Sequence, residues 1–204
     1  MLIIFDCDGV LRSTSWEGLL KAYVAIIQHL GKDYQDFFKN LKEFKDWWNP
    51  DWHKNNEKLG IKDSLKINKI FYENYEPYIS VYPWAANVLE QLSQKHLLTL
   101  LSNASEVSVK KSLNLMAKYF TFIAGHECVK RLKPSPEGIN FILKKINVDV
   151  SETIIIGDTV EDVLAGKNAG VKTGAVSWGL GDWEDLLKFN PDYMFKEPLD
   201  LLSI

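Results

Sequence analysis

Five short apolar runs mark the predicted strands of this chain: LIIF (2–5), LLTLL (97–101), FTFIA (120–124), TIIIG (153–157) and VKTGAV (171–176). Nearly continuous apolar runs of this length are typical of parallel strands that are covered on both faces. Helical patterns lie between most of them, over 84–95, 135–146 and 159–169, and the second begins with Ser135 as capping residue before Pro136. The alternation predicts a doubly wound, Rossmann-like α/β fold with a parallel sheet.

Residues 13–80 break this alternation, because they carry helical patterns and no convincing strand. The first helix is predicted to follow Thr14-Ser15-Trp16-Glu17, which resembles a capping box, and to end at Gly31. A second helix is predicted over 37–48 and a third before Pro77. We therefore predict two domains: an α/β core of residues 1–12 and 81–204, and a helical insertion of residues 13–80.

The composition is that of an ordinary globular protein, with 204 residues, 46% of them hydrophobic, and a formal net charge of −3. This charge gives no electrostatic reason to expect nucleic acid or an anionic membrane as a partner. No stretch approaches the roughly eighteen apolar residues of a membrane span, and the N-terminal run is too short for a signal peptide. The two cysteines, Cys7 and Cys128, do not suggest a disulfide framework, so we expect a cytoplasmic protein.

Several apolar runs are followed by residues that can carry chemistry. They are Asp6 and Asp8 after LIIF, Ser102 and Asn103 after LLTLL, Lys130, Arg131 and Lys133 after FTFIA, and Asp158 and Asp162 after TIIIG. In open α/β sheets ligands bind at the carboxyl ends of the strands. The acids, a hydroxyl group and a lysine are therefore predicted to meet at one edge of the sheet.

The repulsion between neighbouring acids suggests which chemistry the site performs. Two like charges about 4 Å apart repel by about 4 kcal/mol at an effective dielectric of about 20. A cage of carboxylate oxygens suits Mg²⁺ better than zinc or copper, and the cation removes the repulsion. One carboxylate can then attack phosphorus while the second transfers protons, and a lysine can stabilise the transferring phosphoryl group.

Four segments in order, FDCDGVL, LLSN, the lysine of LKPSPEG, and GDTVED, resemble the successive motifs of the haloacid dehalogenase superfamily. The insertion after the first motif is similar to the helical cap of its phosphoglycolate-phosphatase-like branch. The resemblance implies a core sheet with strand order 5-4-1-2-3 and a cap over residues 13–80. It also implies Mg²⁺-dependent hydrolysis of a small phosphate monoester, phosphoglycolate-like or a sugar phosphate, through an aspartyl-phosphate.

The resemblance assigns four acids to catalysis and metal binding. Asp6 would be the nucleophile and a Mg²⁺ ligand, and Asp8 would be the general acid and base and bind the metal through its backbone carbonyl. Asp158 would be a further metal ligand. Asp162 would make a weaker contribution to the metal site, by supporting the ligands without itself contacting the ion.

Three residues are assigned to phosphate by the same resemblance. Ser102 and Asn103 would hold phosphate oxygens, and Lys133 would bridge the phosphate and Asp6. Lys130 and Arg131 are rivals of Lys133 in the same loop.

Three positions in these motifs bear on the subgroup. Arg12-Ser13 departs from the usual pattern of the branch, in which Asp follows the residue after DGVL. Gly157-Asp158, in place of the Glu-Asp of sugar-phosphate mutases, favours hydrolysis. The acid at Asp8 favours a phosphate ester over a halide, because an alkoxide leaving group needs a proton.

The sequence leaves several alternatives open. The chain could be a phosphomutase of the beta-phosphoglucomutase type, or a catalytically silent binding protein on the same fold. It could be a monomer or a homodimer, and His126 or Glu127 could contact the substrate. Aromatic residues at helical spacing are more often core than ligand platforms, so Trp47, Trp48 and Trp52 are predicted to be core residues.

Overall fold

The computed structural model describes residues 1–62 and 64–204, except for the side chains of residues 64 and 65. The chain forms two compact units, one of Met1–Ser13 with Ser80–Ile204 and the other of Thr14–Ile79. Within the described part of the chain, no helix is both long enough and apolar enough to cross a membrane.

The described residues form eight strands in two sheets: β1 (Leu2–Phe5), β2 (Arg12–Ser13), β3 (Ser80–Val81), β4 (Leu97–Leu101), β5 (Phe122–Ala124), β6 (Thr153–Gly157), β7 (Lys172–Val176) and β8 (Tyr193–Phe195). The large sheet has the order β5-β4-β1-β6-β7-β8, and every neighbouring pair in it is parallel. The predicted α/β fold is confirmed. The five predicted runs all lie in this sheet, and β8 is an additional edge strand.

Nine α-helices are described: α1 (Trp16–His29), α2 (Leu41–Trp47), α3 (Trp52–Leu59), α4 (Ser64–Tyr75), α5 (Ala85–Ser93), α6 (Glu106–Leu113), α7 (Glu137–Ile146), α8 (Val160–Ala169) and α9 (Trp183–Lys188). Short 3-10 helices cover Tyr34–Asp36, Glu76–Tyr78, Asn114–Tyr119, His126–Cys128, Val150–Glu152 and Pro198–Ser203.

The large sheet is covered on both faces because successive side chains of its strands point to opposite sides. Ile3 and Phe5 of β1 pack into a cluster that includes buried residues of α5 and α6. Leu2 and Ile4 pack into the other cluster, which includes buried residues of α7 and α8. Every residue of β1 is buried, which explains why its sequence is apolar without alternation.

Two predicted helix starts differ from the structure. Ser15 caps α1 by accepting a hydrogen bond from the Gly18 N–H, whereas Glu17 does not occupy the third helical position that a capping box requires. Helix α7 begins at Glu137 with Pro136 as its capping residue, one position later than predicted. Both differences lie within the usual uncertainty of helix ends.

The unit of Thr14–Ile79 contains α1 to α4 around an aromatic core. The helix predicted over 37–48 is shorter, and the polar helix α3 follows it. Tyr23 contacts Phe44, Trp47 and Phe71, and its hydroxyl accepts a hydrogen bond from Asn55. Trp48 packs against Trp16. Trp47 and Trp48 pack against this aromatic core but are only half-buried. Trp52, also predicted to be a core residue, is half-buried and lies against His53 at the start of α3.

The second sheet is the short antiparallel pair β2–β3, in which Arg12 is opposite Val81 and Ser13 is opposite Ser80. The Ser13 hydroxyl is 3.0 Å from the Ser80 carbonyl oxygen and 2.8 Å from the Ser80 hydroxyl. The chain therefore leaves the first unit and returns to it at adjacent residues.

Candidate active site

Two acids emerge side by side at the carboxyl edge of the large sheet. Strands β1 and β6 are neighbours with Phe5 opposite Ile156, and the Asp6 N–H donates to the Ile156 carbonyl at 2.8 Å. Asp6 follows β1 directly, and Asp158 follows the end of β6. Parallel register therefore brings together two residues that are far apart in the sequence.

The carboxylates of Asp6, Asp158 and Asp162, here called the carboxylate cluster, offer oxygens that all lie within 4.8 Å of one another. All three residues are buried. Lys133 is buried beside them, with its Nζ 2.5 Å from Asp6 Oδ1 and 2.5 Å from Asp162 Oδ1. The same Nζ lies 3.4 Å from the Leu101 carbonyl oxygen at the end of β4. Lys133 thus joins the cluster to the neighbouring strand.

Burial and mutual repulsion oppose ionisation of the cluster. Burial raises the pKa of Asp6 to about 7, and Asp162 and Asp8 act in the same direction while Lys133 opposes them. Burial, with the charges of Asp6 and Asp162, also raises the pKa of Asp158 well above its ordinary value. For Lys133, burial acts to lower the pKa, but the carboxylates of Asp162 and Asp6 outweigh it and the net direction is upward.

Asp162 is held by the start of its own helix. Its Oδ2 accepts hydrogen bonds from the Thr159 N–H at 3.1 Å and from the Thr159 hydroxyl at 2.6 Å, and its Oδ1 faces Lys133. Its position at the third residue of α8 completes a capping box with Thr159. Both oxygens of Asp162 are therefore engaged, one by Thr159 and the other by Lys133.

The loop after β7 contacts Asp158, and the sequence analysis did not predict this contact. The Leu180 N–H donates to Asp158 Oδ2 at 2.8 Å. A Cβ at Gly179 would lie 2.2 Å from the Asp158 side chain, so only glycine allows the loop to approach this closely. The signal in the sequence is Gly179-Leu180-Gly181 just after the β7 run.

These residues fit a divalent cation. Three carboxylates and one ammonium carry a formal charge of −3 + 1 = −2. Among the described residues, Asp158 Oδ1 is buried and has no hydrogen-bond partner, which is costly unless a cation or water meets it. The donor set contains only oxygen, the preference of Mg²⁺.

Ser102 and Asn103 follow β4, the strand beside β1. The Ser102 hydroxyl oxygen accepts from the Ala104 N–H at 3.0 Å. Asn103 Oδ1 accepts from the Lys133 N–H at 3.3 Å, so Asn103 also anchors the loop that carries Lys133. Both residues lie at the edge of the sheet at which the carboxylate cluster lies.

The remaining candidates lie apart from the cluster or have structural partners. Lys130 and Arg131 are exposed, and Arg131 lies 3.5 Å from Glu137, so Lys133 alone of these three contacts the cluster. Glu127 accepts a hydrogen bond from the Glu106 N–H at the start of α6. His126 Nε2 lies 3.6 Å from Glu127.

The Asp8 side chain forms an ion pair with Arg12. Its two carboxylate oxygens are each 2.8 Å from a nitrogen of the Arg12 guanidinium. Cys7, between the two acids, is fully buried in the core, where burial raises the pKa of its thiol. A redox role is not needed to explain it.

The chain resembles known proteins over nearly its whole length. Residues 3–176 match the family model described as haloacid dehalogenase-like hydrolase. The chain is 28% identical to the pyrophosphatase PpaX of Oceanobacillus iheyensis, over 99% of this chain and 95% of that protein. The matched range of the family includes the whole carboxylate cluster and Lys133.

Solved structures give the same picture. A haloacid dehalogenase-like family hydrolase from Streptococcus pneumoniae superimposes with a TM-score of 0.77 at 26% identity, over 99% of this chain and 96% of that chain. A candidate beta-phosphoglucomutase from Thermotoga maritima superimposes with a TM-score of 0.72 at 25% identity, with the same coverage of 99% and 96%. Both match the fold across its full extent.

Proposed function

The chain belongs to the haloacid dehalogenase-like hydrolases, and within this family we propose that it is a Mg²⁺-dependent phosphatase acting on a small phosphate monoester. The observation that carries the proposal is the buried carboxylate cluster, with its formal charge of −2, the unpartnered Oδ1 of Asp158 and a lysine on Asp6. Such a site suits a divalent cation and a phosphoryl group together.

The proposed reaction has two steps. An oxygen of Asp6 attacks phosphorus, and the bond to the leaving oxygen breaks as an aspartyl-phosphate forms. Asp8 gives a proton to the leaving oxygen and then takes one from the water that hydrolyses the intermediate. Lys133 holds Asp6 and offsets charge on the phosphoryl group. Mg²⁺, held by Asp6, Asp158 and the Asp8 carbonyl with Asp162 in support, would supply further positive charge.

Phosphate oxygens have two further proposed donors. The Ser102 hydroxyl uses its oxygen to accept from Ala104, which leaves its proton to be donated to phosphate. The amide nitrogen of Asn103 is the second donor, while its oxygen anchors Lys133. We further propose that the unit of Thr14–Ile79 serves as a cap that selects the substrate.

A screen of phosphorylated compounds tests the proposal. The panel contains alkyl phosphates, sugar phosphates, phosphoglycolate and pyrophosphate, with released phosphate measured with and without Mg²⁺. Asp6→Asn is expected to remove turnover, and mass spectrometry of the wild-type enzyme quenched during turnover is expected to show one added phosphoryl group on Asp6. Asp149→Asn, at an exposed position before β6 in the first unit, is the matched control. Unchanged turnover in Asp6→Asn would contradict the proposal.

Two relatives supply alternatives that the same panel separates. The relative from Oceanobacillus iheyensis is named a pyrophosphatase, so release from pyrophosphate alone would move the substrate class to the anhydride. The likeness to a candidate beta-phosphoglucomutase makes a mutase the second alternative. Conversion of one sugar phosphate to its isomer without net phosphate release would identify that activity. Cytoplasmic location, and a monomeric or homodimeric state, stay predictions.

A further inference from the structure

Arg12 is a buried cation that forms an ion pair with Asp8. Its side chain is 1% exposed, and its Nε and Nη2 each lie 2.8 Å from a different oxygen of the Asp8 carboxylate. This is the bidentate geometry in which the planar guanidinium fixes both the position and the plane of a carboxylate. Asp8 itself is only partly buried, with 29% of its side chain exposed.

The third nitrogen of the guanidinium, Nη1, forms hydrogen bonds with residues of helix α6. Arg12 Nη1 lies 2.7 Å from the Ser112 hydroxyl and 3.4 Å from the Ser108 carbonyl oxygen. Ser112 in turn lies 2.9 Å from the Val109 carbonyl oxygen, so its hydroxyl has a defined orientation. The hydrogen bonds of the Arg12 guanidinium therefore connect the loop after β1 to a helix about a hundred residues away in sequence.

The backbone of the same loop limits where Arg12 can go. The Arg12 N–H donates to the Cys7 carbonyl at 3.1 Å, and the Gly9 N–H donates to the Arg12 carbonyl at 2.8 Å. Asp8 is thus enclosed by hydrogen bonds between its own chain neighbours. A carboxylate has about four lone-pair sites, so two are left after Arg12 has used two.

We propose that Arg12 is a positioning residue that holds the Asp8 carboxylate for the second step of the reaction, a role that rests on the proposed function. In that step the water oxygen bonds to phosphorus and the bond from phosphorus to the Asp6 oxygen breaks. One water proton passes to a remaining lone pair of Asp8, Asp6 becomes a carboxylate again, and inorganic phosphate leaves. A fixed carboxylate plane keeps this lone pair directed at the water.

The test uses 4-nitrophenyl phosphate, whose leaving group departs without a proton, so that the first step does not depend on Asp8. Arg12→Met is expected to form the aspartyl-phosphate at nearly the normal rate and to hydrolyse it about tenfold to a hundredfold more slowly. Rapid mixing should then show a burst of one equivalent of nitrophenolate, and quenched samples should contain phosphorylated Asp6. Asp8→Asn should give the same burst, and the double variant should be no slower than Asp8→Asn.

Milder variants keep the test valid if Arg12→Met does not fold. Arg12→Lys retains the charge without the bidentate geometry, and Ser112→Ala removes only the support; both should show smaller bursts. Arg131→Met, at an exposed position, should show none. Loss of turnover without a burst in the Arg12 and Ser112 variants would overturn the positioning role. Absence of phosphate release by the wild type, or turnover by Asp6→Asn, would instead overturn the proposed function.

Discussion

The ammonium group of Lys133 lies between two buried carboxylates, 2.5 Å from Asp6 and 2.5 Å from Asp162. Its positive charge offsets part of the negative charge of the carboxylate cluster. Removing one partner of a buried ion pair leaves the other without compensation, which costs about 3–5 kcal/mol. One side chain therefore affects both folding and the proposed chemistry.

Lys133→Met is expected to lower the free energy of unfolding by about 3–5 kcal/mol at neutral pH, because two carboxylates lose their shared cation. The folded fraction of the variant should also lose about 10²-fold to 10³-fold in phosphate release, the usual effect of removing one electrostatic contact to a transition state. Urea unfolding and steady-state kinetics measure the two effects. Lys130→Met, in the same loop but exposed, should stay within about 0.5 kcal/mol of wild type. Equal losses in both variants would show that burial of Lys133 is not the cause.

At the scale of residues, the sheet-edge argument predicted that Asp6 and Asp158 lie close together. The choice of Lys133 over Lys130 and Arg131 rested on the resemblance to the family motif. The partners of Arg12 could not be predicted in this way. Its contacts to Ser108 and Ser112 depend on where α6 packs, which no local pattern records. The close approach of Gly179 to Asp158 likewise depends on the path of a loop.

Strands β7 and β8 are joined by a side chain as well as by their ladder. Asp192 Oδ2 accepts hydrogen bonds from the Thr173 N–H and the Thr173 hydroxyl, both at 2.8 Å. Partial burial acts to raise the pKa of Asp192, but these hydrogen bonds outweigh it, and the net pKa lies below the ordinary 3.8. The ionised form therefore stabilises the end of the sheet.

Asp192→Asn should reduce the free energy of unfolding by at most about 1 kcal/mol at pH 7, since the amide keeps an acceptor, and solvent screens the charge that is lost at this exposed position. Because the folded pKa is lowered, the stabilisation is complete above pH 3.8 and is lost as the pH falls through the folded value. The difference between the two proteins should therefore shrink in acid. Denaturant unfolding at a series of pH values measures it, and a constant difference would exclude the charge as its source.

At the scale of elements, the sequence predicted those with strong apolar patterns and missed those without. Strand β8 has two exposed residues and one buried residue, Phe195, so it shows no apolar run. Helix α3 reads WHKNNEKL, with only Asn55 and Leu59 buried, and its polar sequence carries little periodic signal. Such elements form because their neighbours provide hydrogen bonds and packing.

The first unit as a whole holds a buried site with a formal charge of −2. A ligand that binds only the folded state stabilises it, by about 2.7 kcal/mol at a hundred times its dissociation constant. For a chain of this size that corresponds to a rise in thermal midpoint of about 5–10 °C. Metal binding should therefore be visible without any substrate.

Mg²⁺ is expected to raise the thermal midpoint of the wild type by this amount, and a chelator should reverse the rise. Gly179→Ala should reduce the Mg²⁺-induced rise, because its Cβ would displace Asp158. Gly170→Ala is the matched control: its φ of 75° makes alanine strained, but nothing lies near its Cβ. It should lower the midpoint itself and leave the Mg²⁺-induced rise intact. An equal rise in all three proteins would contradict the placement of the ion at Asp158.

The hydroxyl contacts between Ser13 and Ser80 have a consequence for how such proteins can diversify. The chain leaves the first unit at Ser13 and returns to it at Ser80, and these two residues are paired in the sheet β2–β3. Residues 14–79 are therefore an insertion that begins and ends at a two-stranded stem. Replacing this insertion by one of a different length changes the entropic cost of bringing its two ends together only weakly, by about 0.6 kcal/mol for each doubling of its length. Grafting another helical insertion onto this stem should leave the register of the parallel strands unchanged.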